Sequence, residues 1–425
     1  MSNKSLKAAI PSSVRDLVAQ ALHVLKIRKR FVDGPRGYEP DSGIQVEVAV
    51  YFPDFLPRMY QLTQWLPVLE NHPADLTFGI VVRKISVYLE LIKLTKLPVV
   101  YVPTFTDLME LYRVSPLKAV VYVNNGMGNF QSLTVASLAH IHVNHGESDK
   151  ICMVSNQVKA YDRVFVAGEA AVRRHRAALS EFNEQVLVRV GRPQLDQSHA
   201  SALSDSSLQT LLYAPTWAGE DEANNYTSME YLAPLIIDAM LKQPNARVVY
   251  KPHPRIADSA NESIRKNHEY ILRAIKKANS KSGEPVHVIQ ETGDILATFP
   301  KVDLLISDVS SIALDFLYLN TDKPIILTDR RDNLTQLKID SPLSTATQVL
   351  TKANIKDAEL LISQALSADS FIEERIVLRE FYFDNVQAGE SAPRFFAAMR
   401  QAITQHSQDM IRANKLAESG TGPSH

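Results

Sequence analysis

Residues 5–30 repeat apolar side chains every three or four positions, which is the spacing of one face of an amphipathic helix. The apolar positions are Val14, Leu17, Val18, Ala21, Leu22 and Leu25. Pro11 is where such a helix would break, and lysines and arginines outnumber the single acid, Asp16. The pattern predicts a basic amphipathic helix that either lies on an anionic membrane surface or packs on the first domain.

From about residue 44 the pattern changes to short apolar runs that alternate with helical stretches. Strands are predicted at 46–52, 76–82, 99–102, 119–123, 139–143, 164–167 and 186–190, with helices such as 59–69 and 86–94 between them. Strands that alternate with helices of this length indicate parallel sheets with right-handed crossovers.

A small polar stretch at 198–207 is the predicted domain boundary, because the same alternation restarts after it. Strands are predicted at 210–214, 246–250, 286–289, 304–307 and 324–328, and helices at 228–242, 263–277, 311–319 and 394–416. The fold class is therefore α/β, with two Rossmann-like domains facing a central cleft. The predicted division is 1–35 for the N-terminal helix, 36–197 and 198–390 for the two domains, and 391–425 for a C-terminal helix and tail.

Charge and cysteine content narrow the function classes. A formal net charge of −1 over 425 residues provides no basic field for nucleic acid, so an anionic ligand requires a local site. The single cysteine, Cys152, excludes an internal disulfide, and its apolar neighbours predict a buried small side chain. The N-terminus lacks the pattern of a secretory signal, and no apolar run reaches the ~20 residues of a membrane span. We expect a cytoplasmic protein that can contact the inner face of the membrane.

Ligands bind beyond the carboxyl ends of parallel strands, and the first candidate stretch, 141–150, lies at such an end. Gly146 permits a sharp turn, and His145 beside it is a candidate general base at neutral pH. His140 and His142 invite a zinc interpretation, but they alternate with apolar residues on a strand, whereas His145 follows the turn. Taken alone, without the other stretches, His145 is better explained as a hydrogen-bonded loop histidine.

The second candidate stretch consists of Pro215, Thr216 and Trp217 at the end of another strand. Pro215 ends the strand because proline cannot donate to the ladder. Trp217 offers a flat apolar face and one donor to a ligand, or else packs at a domain edge. The acidic run at 220–222 that follows is typical of a solvated loop.

The third candidate stretch places Lys251, His253 and Arg255 at a strand end, with a proline on each side of the histidine. The prolines hold the backbone rigid and prevent it from continuing as strand or helix. Three donors within five residues suit a phosphate, which arginine can bind in a fork. The competing interpretation is a surface loop with solvated cations.

The fourth candidate stretch, 303–316, passes from a buried strand through a polar turn into a helix. Asp308 or Ser310 can cap that helix, and Ser310, Ser311 and the free N–H groups of its first turn can bind an anion. A capped helix without a ligand is the alternative. The chain has no G-x-G-x-x-G after its first strand, no Walker loop and no G-x-S-x-G, which argues against a dehydrogenase, an NTPase and an α/β-hydrolase.

Together these stretches resemble the CDP-glycerol glycerophosphotransferases, the family of teichoic-acid primases and polymerases. That family in turn resembles the two-Rossmann glycosyltransferases of the GT-B type. The matching pieces run in the family's order from about residue 140 to 330: His145-Gly146 with Lys150, Gly191-Arg192-Pro193 with Asp196, 213–217, Lys251-Pro252-His253-Pro254, and 307–311 with Asp315-Phe316. The first 130 residues carry no motif that matches.

The resemblance implies that His145 deprotonates an acceptor hydroxyl, that His253 stabilises the donor pyrophosphate, and that Ser310 and Ser311 bind phosphate. The other donor-side positions are Gly146, Lys150, Pro215, Thr216, Trp217, Lys251, Arg255 and Asp308. The family continues its His-Gly with Thr-Pro and an apolar residue before Lys, whereas this chain has Glu147-Ser148-Asp149. Two additional acids beside the base could change the acceptor or the donor.

The implied function is transfer of glycerol phosphate, or a related polyol phosphate, from CDP-glycerol to a hydroxyl of a polyprenyl-linked or polymeric glycan. The product would be a teichoic-acid-like wall or capsule polymer, with CMP released. The GT-B resemblance implies no cofactor and no obligatory metal, with a divalent cation left optional. Two alternatives stay open: a nucleotide-sugar glycosyltransferase or epimerase of the same fold, and a non-catalytic paralogue that binds a nucleotide or an anionic polymer.

Overall fold

The computed structural model describes residues 38–39, 43–198, 200–282 and 286–418. The predicted N-terminal amphipathic helix at 5–30, and with it the predicted segment 1–35, lies outside these residues. The described chain forms two parallel β-sheets, each covered by helices, which confirms the α/β class with two Rossmann-like domains.

The first sheet, within the described residues, has seven parallel strands. A short antiparallel pair precedes it, β1 (Tyr38–Glu39) with β2 (Gly43–Ile44). The sheet strands are β3 (Val48–Phe52), β4 (Phe78–Val82), β5 (Val99–Tyr101), β6 (Ala119–Tyr122), β7 (Ala139–His142), β8 (Arg163–Val166) and β9 (Leu187–Arg189). Their spatial order is β5-β4-β3-β6-β7-β8-β9, so the direction in which strands are added reverses between β3 and β6.

The second sheet repeats this plan with six parallel strands in the described part of the chain. They are β10 (Gln209–Ala214), β11 (Ala246–Tyr250), β12 (Val288–Ile289), β13 (Leu304–Ser307), β14 (Ile325–Asp329) and β15 (Gln348–Thr351). The spatial order is β12-β11-β10-β13-β14-β15, with the reversal between β10 and β13. The central strands are buried along their length, as expected for a parallel sheet covered on both faces.

The helices connect successive strands and cover both sheets. Around the first sheet lie α1 (Tyr60–Thr63), α2 (Leu66–Glu70), α3 (Ile85–Leu94), α4 (Phe105–Val114), α5 (Asn129–Ser132) and α6 (Glu169–Ala178). The helices that come after β10 in the chain are α7 (Ala233–Leu241), α8 (Glu262–Ser282), α9 (Ser311–Leu319), α10 (Leu334–Asp340), α11 (Ala358–Ser367), α12 (Ile372–Phe383) and α13 (Ser391–Glu418). No helix among the described residues is both long and apolar enough to cross a bilayer.

Helix α13 returns the end of the chain to the first sheet. Phe395, Phe396 and Met399 are buried in the same core cluster as β3, β4 and β6. The carboxylate of Asp196 accepts hydrogen bonds from the backbone N–H groups of Gly389 (2.9 Å) and Ala392 (2.6 Å), at the start of this helix. Burying these apolar side chains attaches helix α13 to the first domain, although the helix follows the second domain in the chain.

The two strand-order reversals determine where ligands can enter. In an open parallel sheet, the loops that follow the two strands at a reversal diverge and leave a crevice between them. In the second sheet, residues 215–217 follow β10 directly and residues 308–311 follow β13. Two of the predicted stretches therefore flank one crevice.

Prolines explain why two of the predicted helices were too long. The predicted helix 59–69 is divided into α1 and α2, and Pro67 occupies the second position of α2. The predicted helix 228–242 is likewise a 3₁₀ turn followed by α7, with Pro234 in its first turn. Proline fits the first turn of a helix but lacks the N–H that would continue a preceding one. Strand β15 was not predicted.

One prediction about burial was wrong. Cys152 is exposed, although its apolar neighbours predicted a buried side chain. It lies in a short 3₁₀ turn, Ile151–Met153, whose backbone N–H at Cys152 donates to the Asn224 side chain of the second domain (3.2 Å). The turn lies where the two domains meet, so its neighbours in sequence do not determine its burial.

Candidate active site

The loop after β7 meets the start of helix α9 across the cleft. A Cβ atom added to Gly146 would lie 3.4 Å from Ser311 Cβ and 3.7 Å from Ser311 Oγ. The loop therefore lies so close to the second domain that an added methyl group would make ordinary van der Waals contact with Ser311. This contact brings His145 and the predicted phosphate-binding serines to the same place in the fold.

Backbone contacts fix the orientation of His145. Asn144, which precedes it, has φ of 55°, and its side chain accepts from the His145 N–H (2.8 Å). The Trp65 indole donates to the Asn144 carbonyl (2.7 Å) and holds the turn. His145 Nδ1 lies 3.3 Å from the carbonyl oxygen of Val123, which can only accept a hydrogen bond. The proton of a neutral ring is therefore on Nδ1, and the lone pair is on Nε2.

The electrostatic surroundings keep His145 neutral. Burial lowers the pKa of His145 to about 4, the carbonyl of Val123 opposes this effect, and the positive charge of Arg192 adds to it. At neutral pH the ring is uncharged, with an unprotonated Nε2. This is the state that a general base needs before it accepts a proton.

His253, in the second domain, has the opposite tautomer. The backbone N–H of Arg255 donates to His253 Nδ1 (3.2 Å), so the proton of the neutral ring must be on Nε2. Burial, together with the positive charges of Lys150 and Arg255, lowers the pKa of His253 to about 3. The ring is therefore a neutral N–H donor near neutral pH, which suits a phosphate oxygen.

Trp217 organises the residues around His253. The two rings stack, with centroids 6.0 Å apart and planes 28° apart. The Arg255 guanidinium lies over the indole, 4.2 Å from its centroid, and donates to Glu220 (3.1 Å). The backbone N–H of His253 also lies 3.3 Å from the carbonyl of Pro215, which accepts from it. The second and third predicted stretches thus form one wall of the cleft.

The start of helix α9 is open to an anion. Ser310 occupies the N-cap position, but its side chain makes no capping hydrogen bond and lies 3.3 Å from the Ser307 hydroxyl. The first-turn N–H groups of α9 therefore lack a side-chain cap, and the positive end of the helix dipole lies beside them. Together with Ser311 next to Gly146, this arrangement suits a phosphate group.

Lys150 and Thr216 connect the two domains within the site. The ammonium of Lys150 donates to Thr216 Oγ1 (2.9 Å), and 66 residues separate the two positions. Burial lowers the pKa of Lys150, while the negative charge of Asp308 opposes this effect. Both predicted residues lie at the cleft.

Asp308 and Lys251 belong to the site but are occupied by contacts within the protein. Asp308 is fully buried, and its carboxylate accepts from Thr216 N (2.7 Å), Ser228 N (3.2 Å) and Thr328 Oγ1 (2.6 Å). The ammonium of Lys251 donates to two backbone carbonyls, Thr292 (3.1 Å) and Gly293 (2.8 Å). Both side chains therefore position the loops that line the crevice.

A buried ion pair that was not among the predicted site residues joins the two domains. The Arg192 guanidinium donates to both carboxylate oxygens of Asp315 at 3.0 to 3.2 Å, and both side chains are more than nine-tenths buried. Arg192 also donates to the carbonyl of His145 (3.5 Å). Both residues lie within the matching motifs, which was the only signal in the sequence for this pair.

The two unusual acids beside His145 are paired inside the protein. The carboxylate of Glu147 accepts from the Arg174 guanidinium, at 2.8 Å for the Nη1 contact. Asp149 accepts from the hydroxyls of Ser341 (2.9 Å) and Tyr382 (2.5 Å). Burial raises the pKa of both carboxyls, and Arg174 opposes that effect. The acids thus brace the loop between the domains.

His142 is buried in the first domain beneath the loop. Its ring stacks on Tyr161, and neither ring nitrogen has a hydrogen-bond partner within the described residues. Burial lowers the pKa of His142 to about 3. Across the described parts of the chain, no group of three or more histidine, cysteine, aspartate or glutamate side chains is arranged to hold a metal ion.

Comparisons with solved structures show the architecture. A putative UDP-N-acetylglucosamine 2-epimerase from Listeria monocytogenes aligns with a TM-score of 0.57 and 13% identity, over 85% of this chain and 97% of that one. A variant of the wall teichoic acid polymerase TagF with CDPG aligns with a TM-score of 0.53 and 13% identity, over 93% and 99%. A UDP-GlcNAc 2-epimerase from Neisseria meningitidis bound to UDP-GlcNAc aligns with a TM-score of 0.53 and 12% identity, over 84% and 100%. At such identities the likeness shows the fold alone.

The family is shown by sequence. No curated protein sequence matches the chain. The family described as CDP-Glycerol:Poly(glycerophosphate) glycerophosphotransferase matches residues 104–330, which is more than half of the 425 residues and includes every predicted site residue. The chain therefore belongs to the CDP-glycerol:poly(glycerophosphate) glycerophosphotransferase family.

Proposed function

We propose that the protein transfers glycerol phosphate, or a related polyol phosphate, from CDP-glycerol to a hydroxyl of a lipid-linked or polymeric acceptor. The product extends a teichoic-acid-like wall or capsule polymer, and CMP is released. The observation that carries this proposal is the pair of neutral histidines with opposite tautomers. His145 presents a lone pair at Nε2, and His253 presents an N–H at Nε2.

In the proposed reaction the acceptor hydroxyl attacks the phosphorus that bears glycerol. The new bond joins acceptor oxygen to phosphorus, the bond from phosphorus to the bridging oxygen breaks, and that oxygen leaves as part of CMP. The hydroxyl proton passes to His145 Nε2 and then to solvent. The leaving phosphate gains negative charge, which the His253 N–H and the start of helix α9 would stabilise.

Residues around the two histidines would position the substrates. Gly146, Ser310 and Ser311 form the phosphate end of the crevice, whereas Lys150 and Thr216 hold the two walls together. Pro215, Trp217 and Arg255 would line the donor pocket beside His253. Catalysis by positioning and charge stabilisation requires no covalent intermediate on the protein.

A ligand panel tests the proposal. Purified protein is mixed with CDP-glycerol, CDP-ribitol, UDP-sugars, CMP and UMP, and its melting temperature is measured with each. We expect cytidine compounds to stabilise it selectively, because at equal concentration a ligand that binds the folded protein more tightly raises its stability more. CMP should then be released when poly(glycerol phosphate) is added. A preference for uridine compounds would instead indicate a glycosyltransferase or epimerase. Binding of cytidine compounds without turnover would indicate a non-catalytic paralogue.

We also propose that residues 1–30 attach the protein to the anionic inner face of the cell membrane, where a polyprenyl-linked acceptor would lie. The lysines and arginines of this segment support the proposal. Deleting residues 1–30 should weaken sedimentation with phosphatidylglycerol vesicles and leave the melting temperature unchanged. Equal sedimentation of the full chain and the deletion variant would contradict it.

A further inference from the structure

The first sheet has its own strand-order reversal, between β3 and β6, to which the sequence motifs assign no role. Residues 53–60 follow β3, and residues 124–130 follow β6. A Cβ atom added to Gly128 would lie 2.7 Å from the Pro53 ring, so the two loops are in direct contact at this point. The crevice between them lies at the carboxyl end of the sheet, on the same side as His145.

Polar side chains hold the floor of this crevice. The amide of Asn124, which is 8% exposed, donates to Asp54 (2.8 Å) and to Gln61 (2.8 Å). Its carbonyl oxygen accepts from the Gly126 N–H (3.0 Å). All the hydrogen-bonding capacity of this amide nitrogen is therefore used to join the two loops, and the crevice is preorganised.

The crevice opens on the proposed base. Asn124 directly follows Val123, whose carbonyl fixes the tautomer of His145. The Tyr60 ring lies edge-on to the His145 ring, with centroids 5.8 Å apart. A group bound against Tyr60 would therefore be next to His145, on the first domain, whereas His253 belongs to the second.

The rim of the crevice combines exposed apolar side chains with cations. The exposed apolar residues are Phe55, Leu56, Tyr60, Met127 and Phe130. Lys84 Nζ lies 4.1 Å from the centroid of the Phe55 ring, and Arg58 pairs with Asp54 at 3.3 Å. Since the Arg58 side chain is about half exposed, that ion pair is weak enough to be exchanged for a phosphate.

We propose that this crevice binds the growing end of a polyol phosphate chain, with Arg58 and Lys84 contacting its first internal phosphodiester and Tyr60 directing its terminal hydroxyl to His145. The proposal rests on the proposed function and specifies its acceptor. Cations flanked by apolar faces match such a chain, which alternates anionic phosphates with carbon units.

A double variant with a matched control tests the inference. R58A/K84A removes two cations from the crevice. The control, R113A/K118A, removes two exposed cations that lie in the same domain but away from the crevice, next to the amino end of β6. With CDP-glycerol and poly(glycerol phosphate), R58A/K84A should raise the acceptor KM by about 10- to 100-fold and leave the donor KM unchanged. With free glycerol as acceptor the two variants should behave alike, because glycerol carries no phosphate.

Direct binding separates failure of this inference from failure of the proposed function. Binding of poly(glycerol phosphate) without donor is measured by titration calorimetry for the wild type and both variants. Loss of binding in R58A/K84A alone supports the crevice even if no turnover is found. Equal acceptor KM and equal binding in the two variants would overturn the inference, whereas a wild type that never releases CMP would overturn only the proposed function.

Discussion

Replacing His145 with glutamine tests the assignment of the base most directly. The glutamine amide can still donate to the Val123 carbonyl, which lies 3.3 Å from Nδ1 in the wild type, but its oxygen has no useful basicity. General-base catalysis contributes about 10²–10⁴ in rate, or about 3–5 kcal/mol of transition-state stabilisation. We therefore expect H145Q to lower kcat by that factor. The donor Kd should change little, because donor contacts lie on the opposite wall.

The assay is steady-state release of CMP from CDP-glycerol with poly(glycerol phosphate), accompanied by calorimetric titration with CDP-glycerol. His72 provides the matched control, since it is only partly buried and its Nδ1 also lies within hydrogen-bond distance of a carbonyl, that of Pro73 (3.0 Å). H72Q should retain the wild-type kcat. If H145Q keeps a kcat within threefold of the wild type, His145 is not the base. Its hydrogen bond to Val123 then has a structural role only.

Three further predictions concern the histidines and the buried ion pair. Arg192→Leu should lower the free energy of unfolding by about 3–5 kcal/mol, measured in urea, because it leaves Asp315 buried without its partner; R192L/D315L should recover much of this loss. Burial lowers the pKa of His142 to about 3, so the unfolded chain binds its proton first as pH falls below about 6.5. The stability of the wild type relative to H142L should therefore fall by about 1.4 kcal/mol per pH unit as the pH is lowered from 6.5 to 4; a constant difference in urea midpoint would contradict this. His253→Ala should weaken calorimetric CDP-glycerol binding by about tenfold, whereas H253Q, which keeps a donor, should bind more tightly than H253A.

Much of the second domain follows from local sequence. The strand at 246–250 and the helix at 311–319 have the predicted bounds, and β13 does as well. Continuous apolar runs are required wherever a parallel strand is covered on both faces, so the sequence pattern alone marks these strands. Residues 215–217 and 308–311 could also be placed at one edge, because carboxyl ends of neighbouring parallel strands lie together.

The tautomer of His145 and the partners of the cations came from long-range contacts, whereas the tautomer of His253 is set locally by the backbone N–H of Arg255. Val123 and His145 are separated by 22 residues, and their hydrogen bond determines which nitrogen of His145 is free. Lys251 was predicted to contact the donor, yet its ammonium meets the carbonyls of Thr292 and Gly293. A charge near a strand end is visible in the sequence, whereas the atoms that approach it depend on how other loops fold over it.

The sequence by itself determined the α/β class, most strands and the stretches from which the site is built, because these depend on side chains that are neighbours along the chain. The tertiary structure decided which groups meet across the cleft. Glu147 and Asp149 look from the sequence like charges added beside the base, but Asp149 reaches Tyr382, 233 residues away, and Glu147 pairs with Arg174. Burying a charge is costly unless a partner is supplied, so the fold pairs these acids internally.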